Sequence, residues 1–310
     1  MGTPETAASH LATAVASPFR VVGVVTQPDR PKGRGRKLTA PPVKLRAQAL
    51  GLPVYQPERA SSPEFAACLR ELAPDLFIVV AYGEILKPGL LALPRLGAIN
   101  LHFSLLPELR GAAPVFWAIR RGHQESGVTT MYMAEQMDAG DIILAQKEPI
   151  LPDDTSGTLE SRLCDRGCEL LAQTLRLIAT GQAPRGPQDH ERATYAPLVR
   201  KSDGQIDWQA PAEEIGRLVR ACQPWPGAAT SWAGRPLGIV QANPDPAQKF
   251  SGRGGQPGEI AEVTNDSGLF VAAGAGILHV VQVQPAGGRV MAAEAFARGA
   301  RLAVGDHLGT

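Results

Sequence analysis

LFIVVAYGEILKPGLLALPRLGAINLHFSLLPELRGAAP, residues 76–114, sets the fold class. Leu76 to Ala81 is an unbroken apolar run rich in β-branched residues, and Ala98 to Leu101 is a second. Short apolar runs without alternation are strands covered on both faces, and such strands need helices above and below them. Working outward, Phe19 to Val25 (FRVVGVV) and Val54 to Tyr55 supply further strands. Leu45 to Leu50, Pro63 to Leu72 and Pro114 to Arg121 carry helical spacing. The alternation predicts an α/β fold, a Rossmann-like and mostly parallel sheet with helices on both faces. Val128 to Met133 and Ile142 to Gln146 read as two strands joined through a turn at Asp138-Ala139-Gly140. Leu159 to Thr180 reads as a long amphipathic helix with Leu163, Leu170, Leu171, Leu175 and Ile178 on its apolar face.

Near residue 180 the character changes. Gly181 to Pro187 (GQAPRGP) and the polar stretch after it have linker chemistry. A helix at Pro211 to Cys222 follows, then five short strands between glycines and prolines: Ala229 to Trp232, Leu237 to Ala242, Gly258 to Val263, Gly268 to Ala272 and Gly276 to Gln284. That spacing predicts a small β-barrel or sandwich. The expected organisation is a catalytic domain over 1–182, a linker over 183–205 and a second domain over 206–310. The chain opens Met1-Gly2-Thr3-Pro4-Glu5, which is helix-start chemistry with Thr3 as cap and Pro4 at the first helical position. A parallel sheet containing FRVVGVV needs a strand before that helix, and nothing apolar precedes it.

Of 310 residues, 44% are hydrophobic and 20% charged, with a formal net charge of +1. The chain can bury a core, and it is no uniformly basic nucleic-acid coat, so any RNA-binding charge must be local. Cys164 and Cys168 share a helix face, but no paired His or Cys at ligand spacing accompanies them. With Cys68 and Cys222 they read as reduced thiols rather than a zinc site. No apolar run approaches the ~20 residues of a membrane span, and the N-terminus lacks a signal peptide's apolar core. The expected location is the cytoplasm.

Asn100 and His102 close an apolar strand and, two apart, point to one face. In parallel α/β sheets ligands bind beyond the carboxyl ends of the strands. Asp138 lies far downstream in a turn of small residues, where its carboxylate can reach the imidazole. An amide, an imidazole and a carboxylate together suit acyl transfer, because the amide donates to a developing oxyanion and the imidazole donates to it or takes a proton. Spacing alone favours a blander arrangement, in which Asn100 and Asp138 cap turns and His102 merely ends a strand.

NLHFSLLPELRGAAP (Asn100 to Pro114), with MDAGD (Met137 to Asp141) downstream, closely resembles the formyltransferases that use 10-formyltetrahydrofolate. They share Asn-x-His, then Ser-Leu-Leu-Pro, then a distant Asp-x-Gly turn. The resemblance implies catalytic roles for Asn100, His102 and Asp138, with Asp141 structural. It implies folate contacts from Ser104, Leu105, Leu106 and Pro107, and a pterin pocket lined along Tyr82, Gly83, Ile85 and Leu86. Phe103 stands where many members have a smaller residue; alternation turns its ring away from His102. In the family an apolar strand precedes Gly-Thr-Pro-Glu, so the first strand is expected to be missing here and the native start to lie upstream.

Several formyl acceptors share that core. Thr26 to Lys44 (TQPDRPKGRGRKLTAPPVK) sets Arg30, Lys32, Arg34, Arg36, Lys37 and Lys44 against Asp29 alone. A flexible basic loop at the edge of the proposed site can follow a phosphate backbone. The loop resembles that of family members acting on methionyl initiator tRNA, as do Ala193 to Pro197, Ile206 to Trp208 and Pro224 to Pro226. The resemblance implies tRNA contacts at Arg30, Lys32, Arg34, Arg36 and Lys37. It also implies an OB-like C-terminal barrel, with Lys201, Arg217, Arg235, Lys249 and Arg253 as further candidates. The expected partners are methionyl initiator tRNA and 10-formyltetrahydrofolate, with no metal, no membrane and a monomeric chain. Three rivals remain: a sugar-nucleotide formyltransferase, a non-catalytic nucleotide-binding module and a folate hydrolase. The basic loop argues against the first, and the absence of a Gly-x-Gly-x-x-Gly turn after a first strand argues against the second.

Overall fold

The computed structural model describes residues 1–309 except 33, 34, 36, 246–254, 265 and 267. Arg34, Arg36, Lys249 and Arg253 therefore lie outside the described residues. The chain divides into two compact units. The first holds residues 1–114, 125–149 and 160–196, and the second holds 115–124, 150–159 and 197–310. Among the described residues no helix is long and apolar enough to cross a membrane.

In the first unit, α1 (Glu5–Val15) leads to β1 (Val24–Val25), the hairpin β2 (Arg30–Lys32) and β3 (Lys37–Thr39), then α2 (Pro42–Ala49), β4 (Val54–Tyr55) and α3 (Pro63–Leu72). Next come β5 (Phe77–Val79), α4 (Pro88–Leu91) and β6 (Ala98–His102); after α5 (Pro114–Arg120) follow β7 (Glu125–Tyr132), β8 (Ile142–Pro149) and α6 (Ser156–Ala179). Ser62 caps α3 by accepting from Phe65 N at 3.2 Å, with Pro63 at the first helical position. At α1 the expected Thr3 cap is not used. Pro4 holds the cap position, and the Thr3 hydroxyl donates instead to Tyr82 O at 2.8 Å.

The sheet runs β5-β6-β7-β8. Phe77 pairs in parallel with Ala98 and Val79 with Asn100, whereas β6–β7 and β7–β8 are antiparallel. The sheet is thus mixed rather than mostly parallel, because the chain returns through the Asp138 turn as a hairpin. Alternation along β6 serves two cores. Ala98 joins Phe65, Leu69, Phe77 and Leu90 on one side, while Ile99 joins Leu171, Leu175 and Ile178 of α6 on the other. This is the double covering that the apolar runs require.

β1 and β4 form a separate parallel pair. Of the expected strand over 19–25 only Val24 and Val25 are in ladder geometry. Between this pair and β5 the described residues place only Met1 and Gly2: Gly2 N donates to Val25 O at 3.0 Å and Val80 N donates to Met1 O at 2.9 Å. Below them lies a cavity of about 410 Å³, lined by Val22, Val24, Leu72, Phe77 and Ile78 among others. Arg20 to Val22 border it and, among the described residues, have no ladder partner, which explains the shortened strand. The Met1 ammonium donates to Ile78 O at 2.6 Å, and burial lowers its pKa to about 5.

The second unit contains α5, α7 (Ala212–Ala221), β9 (Ala228–Trp232), β10 (Arg235–Pro244), β11 (Ile260–Val263), β12 (Leu269–Ala272), β13 (Ile277–Pro285), β14 (Met291–Ala292) and α8 (Ala293–Ala300). Its antiparallel sheet runs β11-β12-β13-β10-β9, with β14 beside β13. Among the described strands the sheet is open between β9 and β11. α7 buries Ile215, Leu218 and Val219, and Glu213 and Glu214 in its first turn complement the helix dipole.

Candidate active site

β5 and β6 are parallel, so both end at one edge of the sheet, and residues 80–86 and 103–114 leave from it. Asn100 and His102 share the face of β6 that meets the turn after β7. There the Asn100 amide lies 3.4 Å from Asp138 Oδ1, a long hydrogen bond. His102 Nδ1 lies 3.8 Å from Asp138 Oδ2, with the two side chains 7% and 13% exposed. Asp138 Oδ2 also accepts Gly111 N–H at 2.7 Å. The structure thus joins the three residues that the sequence singled out.

Local backbone explains the convergence. Asp138 sits at φ 52°, in the left-handed region that Asp tolerates. Gly140 is required two residues on, since a Cβ there would lie 1.8 Å from Tyr132 O. Gly111, at φ 117°, likewise leaves no room for a side chain, its Cβ position being 2.6 Å from Ala196 O. His102 Nε2 lies 2.9 Å from Leu109 O. A carbonyl only accepts, so the proton is assigned to Nε2, and in the neutral ring the lone pair is on Nδ1, facing Asp138.

A second layer escaped the sequence reading. Arg110, 1% exposed, donates from Nε and Nη2 to Gln188 Oε1 at 3.1 and 2.7 Å, and from Nη2 to His190 Nδ1 at 3.1 Å. Gln188 Nε2 then donates to Asp138 O at 2.9 Å and Gly140 O at 2.7 Å, pinning the turn that aims the carboxylate. Residues 186–196, read from sequence as linker, fold against this unit, with Ala196 N donating to Arg110 O at 2.7 Å. Only the buried arginine's five donors hint at such a partner, and they do not say where it lies in the chain. Gln188→Ala strands Arg110 Nε and frees the turn. Its expected result is a stability loss of about 1–3 kcal/mol in denaturant titration together with a lower kcat.

The other predicted residues divide. Ser104 is buried and its hydroxyl donates to Glu108 O at 2.6 Å, so it is already committed; Leu106 is buried too. Leu105 and Pro107 are half-buried. The loop is fastened to β7: Thr129 Oγ1 donates to Ser104 O at 2.6 Å and accepts Leu106 N–H at 3.2 Å. Tyr82 and Leu86 belong to the core, and burial, with Glu84 beside it, raises the Tyr82 phenol to about 12. Gly83 is exposed and Ile85 is 71% exposed, so residues 82–86 offer backbone and two residues to a ligand. Phe103 packs edge-on to His10, with centroids 6.0 Å apart.

The basic loop follows β1 as the β2–β3 hairpin, with Arg30 opposite Thr39. Arg30 and Lys37 are exposed. Lys44 is not available to an anion, because its Nζ holds Asp29 at 2.8 Å, and Gln56 also donates to Asp29 at 2.7 Å. Gln56 and Lys44 keep the Asp29 carboxyl below its ordinary range and tie down the base of the hairpin.

A formyl transferase family model matches residues 2–175, and the model of the formyl transferase C-terminal domain matches residues 198–301. The methionyl-tRNA formyltransferase of Moorella thermoacetica is 47% identical over 310 residues, covering 100% of this chain and 98% of that protein. That of Symbiobacterium thermophilum is 48% identical over 309 residues, covering 98% and 93%. Among solved structures, an N-formyltransferase from Helicobacter canadensis in complex with folinic acid and dTDP-3-aminofucose superposes with a TM-score of 0.64. It is 18% identical and covers 90% of this chain and 96% of that one, a likeness of fold. With its two domain matches in order and its relatives matched end to end, this chain belongs to the methionyl-tRNA formyltransferase family.

Proposed function

We propose that the chain transfers the formyl group of 10-formyltetrahydrofolate to the α-amine of methionyl initiator tRNA in the cytoplasm, for translation initiation. The observation that carries this reading is the convergence of Asn100, His102 and Asp138 at the carboxyl edge of the sheet. The amine nitrogen attacks the formyl carbon, the carbonyl oxygen becomes an oxyanion, and collapse breaks the bond to folate N10, which takes up a proton. Asn100 donates its amide hydrogen to the oxyanion. His102 Nδ1 takes the proton that the amine loses, giving an imidazolium held between Leu109 O and Asp138. Leu105, Pro107 and the backbone of residues 82–86 line the folate side. The second unit, whose sheet has six described strands and is open between β9 and β11, is read as an OB-like module that helps to hold the tRNA.

The deciding assay offers 10-formyltetrahydrofolate with charged initiator tRNA, uncharged tRNA, an amino-sugar nucleotide or water alone. Formyl-methionyl-tRNA is the expected product. Formate release at the same rate without tRNA, or a formylated sugar, would overturn the reading.

Neutralising Arg30, Arg34, Arg36 and Lys37 together tests the basic loop. Each lost phosphate contact lowers the salt-dependence slope of tRNA affinity by about 0.9. The expected result is a raised KM for tRNA and a shallower salt dependence, with KM for the folate unchanged. An unaltered salt slope would remove the loop from the tRNA interface.

A further inference from the structure

On the other face of β6, away from Asp138, His10 of α1 meets Cys164 and Cys168 of α6. The three ligand atoms lie within 4.8 Å of one another. The sequence reading set the two cysteines aside for want of a partner at ligand spacing; the fold brings one from the opposite end of the unit.

Three features make this more than a packing contact. His10 is 1% exposed and, among the described residues, its Nε2 has no hydrogen-bond partner, so a buried nitrogen is aimed at two sulfurs. Its Nδ1 lies 2.6 Å from Thr6 O. Since the carbonyl must accept, the proton is assigned to Nδ1 and the Nε2 lone pair is turned toward the thiols. An imidazole oriented by a backbone carbonyl behind it is how metal-binding histidines are held. Gly167, between the cysteines, clears the approach: a Cβ there would lie 2.6 Å from His10 Nε2 and 2.9 Å from Leu101.

We propose that His10, Cys164 and Cys168 form a binding site for a thiophilic metal ion of the zinc class, with one nitrogen and two sulfur ligands joining α1 to α6. Zinc–sulfur bonds of about 2.3 Å and zinc–nitrogen bonds of about 2.0 Å place ligand atoms roughly 3.5–3.8 Å apart. The cluster therefore closes around the ion by small side-chain rotations. Binding releases the two thiol protons. Among the described residues the cluster has three ligands. The fourth position falls to water, which reaches the site past the half-buried Cys168. The site lies away from Asn100, His102 and Asp138, so the ion acts as a staple between helices.

The test titrates the reduced full chain with Co²⁺, whose thiolate charge-transfer and d–d absorption reports sulfur ligation, followed by displacement with Zn²⁺. One equivalent with both bands, an upward shift of Tm with Zn²⁺, and slowed alkylation of Cys164 and Cys168 but not of Cys68 are expected. His10→Ala, Cys164→Ser and Cys168→Ser should each weaken binding by at least about tenfold, whereas Cys68→Ser should not. Alkylation mapping on the unaltered chain decides the matter even if a variant folds poorly. Absence of a thiolate band, unchanged alkylation of the pair, or a Co²⁺ spectrum that His10→Ala leaves intact would overturn the proposal.

Discussion

Asn100→Ala is expected to lower kcat for formyl transfer by about a hundred- to a thousandfold, with KM for either substrate little changed. That is the usual cost of removing one preorganised oxyanion donor. The fold should survive, because Asn100 is half-buried and, among the described residues, its amide makes only the 3.4 Å contact with Asp138. Asn100→Asp sharpens the test. It keeps the shape, exchanges the donor for an acceptor and sets a second carboxylate beside Asp138, so it should be no more active than the alanine variant. His102→Ala should lose a comparable factor, but it also leaves Leu109 O without its buried partner and costs about 1–3 kcal/mol of stability. Its rate therefore has to be read beside a Tm measurement. Activity within a few-fold of the unaltered enzyme in Asn100→Ala would remove the amide from the mechanism.

Asp138→Asn carries the second large effect. Asn tolerates the left-handed backbone at φ 52°, and its carbonyl oxygen can still accept Gly111 N–H. What it removes is the negative charge facing His102 Nδ1. If the imidazole takes the amine's proton with that carboxylate beside it, kcat falls by about a hundred- to ten-thousandfold, the range of general acid–base assistance. Denaturant stability should hardly move. Asp138→Ala additionally frees Gly111 and should lose stability as well as rate. Equal stability loss in both variants, with Asp138→Asn keeping full kcat, would make Asp138 a structural turn residue.

Much of this was legible in the residues. The apolar runs at 76–81 and 98–101 are β5 and β6, and Asn100 and His102 share a face because of strand alternation. Asp138-Ala139-Gly140 declared its turn, since small residues admit the close approach to Tyr132. What stayed hidden depends on tertiary contact. Gln188 lies in a polar stretch with no periodicity, and only the folded chain sets it against Arg110 and the Asp138 turn. His10 and the cysteines share no local spacing at all. The parallel pairing expected of most of the sheet fails after β6, because apolar runs fix burial and not strand direction. Arg20 to Val22 have the composition of a strand, yet a strand needs a neighbour to pair with. α8, a helix of eight residues and half of them alanine, was not singled out from the sequence.

Thr129 has a consequence that reaches beyond packing. Completely buried, it holds the 104–107 turn by both lone pair and proton. The conformational entropy of that segment is therefore surrendered when the chain folds, not when a ligand arrives. Under the proposed function, Leu105 and Pro107 present a surface that the folate need not organise, so little of its contact energy goes into ordering the protein. Thr129→Val would shift that ordering step from folding to association, and the loss would be felt as slower capture of the folate.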